Sequence, residues 1–136
     1  MASVSDRDLW IFTLHRYYIW SNFMRTKFDE IIQDKSQQNF KGEMESFAYM
    51  SYWYGGLFVV VEGWQDLQLS EPIIDELLAS PHVDLLRRYR NGVFHFQRDY
   101  NDKRFLEFMA EGMSIVQWVR DLTLHFGRYF LQRFRQ

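Results

Sequence analysis

Arg90, Asn91 and His95 are the residues of this chain whose types and spacing best match a reaction. An imidazole titrates near neutral pH and carries a proton in either direction; a guanidinium is a permanent cation with planar donors; an amide is a neutral group that can orient either one. On a helix, Asn91 and His95 stand four residues apart and share a face, so the amide can orient the ring or bind the same ligand. Arg90 sits one step round, but its long side chain can bring the guanidinium beside the imidazole. A base for an attacking hydroxyl and a cation for a charged phosphorane are what phosphodiester cleavage without a metal requires.

Other chemistries drop out on inspection. The chain has no Gly-rich phosphate loop, no Glu-x-x-His pair, no His-Glu-x-x-His helix and no Ser nucleophile elbow. It has no cysteine, which removes disulfides, thiolate zinc sites and cysteine nucleophiles together. No metal and no cofactor is expected. His15, His82 and His125 read as structural or surface residues. An ordinary reading of the motif itself stays open, in which Arg90 pairs with a carboxylate, His95 fills a boundary position, and Phe94 and Phe96 are core. Glu62, in the run Val60-Val61-Glu62-Gly63-Trp64, would need a cation if buried, and Arg90 is a candidate. Such a pair could equally hold Arg90 in place for chemistry.

An Arg, a following polar residue and a His after a gap of four to six, late in a small all-α chain, is the pattern of the HEPN family, the higher eukaryotes and prokaryotes nucleotide-binding domain. Arg90, Asn91 and His95 match it with the shortest gap, and the helix through Tyr54 and Trp64 and the closing helix also fit, so the chain resembles that family over most of its length. The resemblance implies a bundle of four or five helices that pairs two motifs across a homodimer into one RNA-cleaving cleft, with His95 and Arg90 carrying metal-independent cleavage and Asn91 positioning one of them. Many members of the family are inactive, serving as binding or scaffold modules. Several toxin members have Tyr two residues beyond the His; here that position is Gln97, which donates a hydrogen bond but cannot act as a phenol. Arg87, Arg88 and Arg98, with Lys103 and Arg104, flank the motif and could hold an RNA backbone.

The elements that must position these residues follow from periodicity. Between Asp6 and Ile32, apolar Trp10, Leu14, Tyr17, Met24, Phe28 and Ile31 alternate by three and four, with Ser21 in the one gap, which predicts a long amphipathic helix capped by Ser5. Asp34 to Lys41 reads as a loop. A second helix is expected from Glu43 to Leu67; Phe58-Val59-Val60-Val61 allows a strand, but the helical pattern around it is longer. Gly55-Gly56 in its middle implies another backbone close by. Ser70 and Ser80-Pro81 predict two starts, a short helix over Glu71 to Ala79 and another from Val83 to about Phe94. After a polar turn at Gln97 to Asp102, one long helix is expected with Phe105, Phe108, Gly112, Ile115, Val119, Leu122, Phe126 and Tyr129 on its seam, and with Gly112 and Gly127 as places to kink. The expected fold is an all-α bundle of four main helices plus a short one, a single domain over residues 1–136.

Composition bounds the rest. The chain is 47% hydrophobic and 19% aromatic, more aromatic material than a small core needs, so part of it is expected to face a second subunit. Residues 29–84 hold 11 acidic against 2 basic side chains and residues 85–136 hold 10 basic against 5 acidic. Packing of the two halves would cancel this asymmetry; a basic face for phosphate would exploit it. The N-terminus lacks the build of a secretory signal and no apolar run is long enough to cross a bilayer, so a cytoplasmic protein is expected. Two functions are therefore in view: a HEPN-like endoribonuclease, and a non-catalytic helical module that binds a nucleotide, another ligand or a protein partner. A purely structural dimer built on the aromatic surplus is a third.

Overall fold

The computed structural model describes residues 5–135; the stretch Met1 to Val4, part of the reading that excluded a secretory signal, lies outside them. Helix α1 spans Asp6–Gln33 and opens as its sequence predicts, with Ser5 Oγ accepting the Asp8 N–H at 3.1 Å and two aspartates in the first turn at the positive end of the dipole. The expected loop is shorter than Asp34 to Lys41. Asp34 caps a 3-10 turn at Lys35–Gln37, and Asn39 Oδ1 accepts the Gly42 N–H at 2.8 Å, which starts helix α2, Phe40–Asp66, three residues early. The valine run lies within α2, as the longer periodicity requires.

Packing of α1 on α2 bears out Leu14, Ser21, Met24, Phe28 and Ile31 of the face read from spacing and corrects it at Trp10 and Tyr17. Ile11, Leu14, Ser21 and Ile31 point inward, with Tyr18 and Phe28 packed against the core, while Trp10 and Tyr17 are exposed. The reason lies on α2. A Cβ on Gly56 would lie 3.1 Å from Ser21 Cβ, and one on Gly63 would lie 2.4 Å from Leu14 Cδ1. The line of closest approach therefore runs through Leu14 and Ser21, and Ser21 Oγ donates to the Trp53 carbonyl at 2.8 Å.

Helix α3, Pro72–Leu78, is capped by Glu71, whose carboxylate accepts the Ile74 N–H, rather than by Ser70. Helix α4, His82–Phe94, follows Pro81, with Ser80 Oγ accepting the His82 N–H. The single closing helix expected from spacing is two: α5, Lys103–Ala110, and α6, Met113–Phe134. Gly112 separates them at φ +57°, a conformation that L side chains rarely adopt and that a continuous helix cannot contain. The seam survives the break, because Phe108, Ile115, Val119, Leu122 and Phe126 are all buried. Gly127 instead gives room to the Tyr18 hydroxyl, which donates to the Thr123 carbonyl at 3.0 Å.

The result is an all-α bundle of α1, α2, α4 and α6 with two short helices, and no strand among the described residues. Trp53, Trp64, Tyr89, Phe108, Phe126 and Phe130 fill its centre. Trp118 Nε1 donates to the Leu77 carbonyl, tying α6 to α3. No helix among the described residues is long and apolar enough to cross a membrane.

Candidate functional site at the end of α4

Helix α4 is pinned to α2 through its buried face. Leu86 and Tyr89 are fully buried, and the Tyr89 hydroxyl is 2.9 Å from Ser51 Oγ of α2. Burial pushes the Tyr89 hydroxyl up to about 12, with the Ser51 bond working against that rise; burial, together with Tyr89 nearby, also pushes Tyr54 up to about 12. Anchoring Tyr89 leaves Arg90, the next residue round, at the rim of the α2–α4 contact.

The guanidinium of Arg90 is held on three sides. Nη1 donates to Glu62 Oε1 at 2.6 Å, Nε donates to Asn91 Oδ1 at 3.0 Å, and Cζ lies 4.9 Å from the centre of the Phe58 ring. The Arg90 side chain is 22% exposed and that of Glu62 50%. Glu62 is therefore not a buried carboxylate in need of rescue; the pair sits at the solvent boundary, neither sealed nor free.

Helix α4 ends at Phe94, so His95 is not within it. Its N–H still bonds to the Asn91 carbonyl at 3.1 Å, which places it one turn above Asn91, but its own backbone is extended at φ −122°, ψ 126°. The imidazole is exposed and makes no hydrogen bond among the described residues. The Asn91 amide oxygen is turned to Arg90 instead of to His95. Gln97 braces the chain beyond: its Nε2 donates to the His95 carbonyl at 2.8 Å and its Oε1 accepts from Arg104 Nη1 at 3.0 Å. Arg104 in turn pairs with Asp102, the cap of α5. Gln97 therefore acts on the backbone of the motif histidine, a connection that sequence spacing gave no means to see.

Phe94 and Phe96 are not core residues. Phe94 lays its ring against Gly55, where a Cβ would come within 2.6 Å of it, and remains half exposed; Phe96 is 92% exposed and Tyr100 nearly as open. The basic flank is mostly neutralised close to home: Arg87 binds Asp84, and Arg88 binds Glu107. Arg98 is exposed and forms no ion pair among the described residues. No group of three or more His, Cys, Asp or Glu side chains that could hold a metal ion occurs among the described residues.

A second charged cluster escaped the sequence reading. Asp29 of α1 is bound by Arg25 at 2.7 Å and by Arg120 of α6 at 2.7 Å. Burial favours the neutral acid, but the hydrogen bonds and charges of the two arginines outweigh it and hold Asp29 below the usual carboxylate range. The i, i+4 spacing of Arg25 and Asp29 was a signal for half of this cluster; Arg120 is 91 residues away.

Comparison with protein-family models, with curated proteins and with solved structures returns no match to this chain. What fold and site define together is an all-α bundle with an Arg-Asn-x-x-x-His segment at the exposed end of its fourth helix.

Proposed function

We propose that this chain is a HEPN-like domain whose Arg90, Asn91 and His95 carry metal-independent RNA cleavage, at a cleft formed when two copies bring their motifs together. One observation carries the reading: an exposed His95 stands one turn above Asn91, whose amide oxygen, together with Glu62 and Phe58, orients the guanidinium of Arg90. Of the five N–H groups of Arg90, two are committed in these bonds, leaving three for a phosphate. His95 is the proton carrier and Arg90 the stabiliser of charge on phosphorus. Phe94, Phe96 and Tyr100 supply exposed apolar surface beside the motif, where a second copy would pack.

RNA cleavage by the pure protein in excess chelator tests this. Wild type is expected to cleave, and His95→Ala to lose at least about 100-fold in rate, in the range of general acid–base contributions, with its far-UV circular dichroism unchanged. Equal cleavage by the two proteins overturns it. The Arg90–Glu62 pair favours a second reading, in which the motif binds a nucleotide or a partner without turnover; no cleavage by wild type, with nucleotide binding that survives His95→Ala, would select it.

A further inference from the structure

Between α1 and α6, and sharing no side chain with the α4 site, lies an open cavity of about 460 Å³, a volume typical of small-ligand sites. Its polar wall holds three guanidiniums, those of Arg25, Arg120 and Arg128. Two of them are fixed in place. Arg25 Nε donates to Asn22 Oδ1 at 2.7 Å and its Nη1 to Asp29, while Arg120 reaches Asp29 from the other side and lies 5.3 Å over the Trp53 ring. Arg25 spends three of its five N–H groups within the protein and Arg120 spends two. Arg128 forms no ion pair among the described residues. Leu124 and Leu131, one turn from Arg128 on either side along α6, add apolar surface to the same lining, with Tyr18 of α1 over Gly127.

We infer that this α1–α6 cavity is a binding site for a small organic phosphate, with Arg25, Arg120 and Arg128 on the phosphate and Leu124 and Leu131 against the organic body. Charge selects the anion. Three cations against one carboxylate, Asp29, leave a residual of +2, which matches a phosphomonoester near its dianionic form and exceeds what a single carboxylate can neutralise. Fixation favours binding: Arg25 is held by Asn22 and Asp29 and Arg120 by Asp29 and Trp53, so both guanidiniums lose little freedom when an anion pairs with their remaining donors. The cavity is larger than phosphate alone, and what remains of it faces leucine.

Phenyl phosphate is a suitable probe, titrated by calorimetry into the full chain at fixed ionic strength, with inorganic phosphate and benzoate in parallel. Phenyl phosphate is expected to bind more tightly than either. Arg128→Gln, at an exposed side chain with no ion pair among the described residues, is expected to weaken it at least tenfold with an unchanged melting temperature, while Arg98→Gln, in the turn between α4 and α5, leaves it within twofold. Binding that survives Arg128→Gln, an equal loss in Arg98→Gln, benzoate binding as tight as phenyl phosphate, or no binding by wild type each overturns the inference. RNA cleavage by Arg128→Gln is expected to equal that of wild type, so the outcome is independent of the α4 proposal.

Discussion

The guanidinium of Arg90 is oriented by Asn91 and Phe58 as well as by its carboxylate partner Glu62. Arg87 has an i, i−3 carboxylate in Asp84 and Arg88 has Glu107, so each brings a neutralising partner to a phosphate. Arg98, in the turn beyond α4, has no ion pair among the described residues. Substituting Arg98 by Gln should therefore weaken RNA binding and lower the slope of log affinity against log salt by about one, whereas Arg87→Gln should change the slope by much less; a salt series of filter-binding or anisotropy titrations measures both. Identical slopes for the two variants would show that Asp84 does not neutralise Arg87 in solution. At the same scale, Gln97 shows how a residue judged by what it lacks, a phenol, has a structural use: it holds the main chain of His95 to α5 through Arg104.

At the scale of elements, α4 is positioned by a buried polar contact inside an aromatic cluster. Tyr54, Tyr89 and Phe108 pack with ring centres 4.8–5.7 Å apart, and the Tyr89–Ser51 bond sets the register of α4 on α2. Both tyrosine hydroxyls are held near 12 in the folded protein against about 10 in an unfolded chain. A raised pKa means that the unfolded state releases protons first as pH climbs, so this stabilisation is whole below about pH 10 and declines between there and about 12. Urea midpoints should accordingly be level from about pH 8 to 9.5 and fall above 10. Tyr89→Phe should cost about 1 kcal/mol at about pH 8 and make the alkaline fall shallower. A fall of unchanged steepness would mean that Tyr89 does not contribute to it. The α5–α6 break makes a separate prediction. Gly112 has open space around the position of a Cβ, so Gly112→Ala meets no clash and suffers only from its backbone. The expected loss is about 1–3 kcal/mol, read as a lower urea midpoint with unchanged helix content.

Over the whole molecule, the acidic and basic halves of the chain are joined among the described residues by three pairs, Arg120 with Asp29, Arg90 with Glu62 and, at their boundary, Arg87 with Asp84, while Arg88 and Arg104 pair within the basic half. Intramolecular complementarity thus accounts for part of the charge asymmetry, and Arg98, Lys103, Arg128 and Arg135 are exposed basic residues without an ion pair among the described residues. The aromatic surplus also divides: Trp53, Trp64, Phe126 and Phe130 of α2 and α6 are core, whereas Trp10, Phe12, Trp20 and Phe23 of α1 and Phe40 and Tyr52 of α2 are exposed, as are Phe94, Phe96 and Tyr100 around the end of α4. If the proposed cleft forms there between two copies, Phe96→Asp places a charge in its apolar seam. Sedimentation should then shift from dimer to monomer and RNA cleavage should fall in parallel. A dimer unaffected by Phe96→Asp would put the interface elsewhere.

The sequence by itself determined where α1 and α4 begin, because caps, proline starts and helical periodicity are decided within a few residues. Ser5, the Ser80-Pro81 start and the helical reading of the valine run were legible for that reason, as was the close approach at Gly55-Gly56. Only the tertiary structure decided that Ile11 and Tyr18 rather than Trp10 and Tyr17 complete the core face of α1, since that depends on where the glycines of α2 admit Leu14 and Ser21. It also decided that the closing helix breaks at Gly112, a residue which spacing placed on a continuous seam. At the site, it decided that Asn91 serves Arg90 rather than His95, because the chain turns extended just where the ring would have returned to the helix face. The cluster of Arg25, Asp29 and Arg120 was beyond any local reading, since charges so far apart in the chain meet only when α1 and α6 pack side by side.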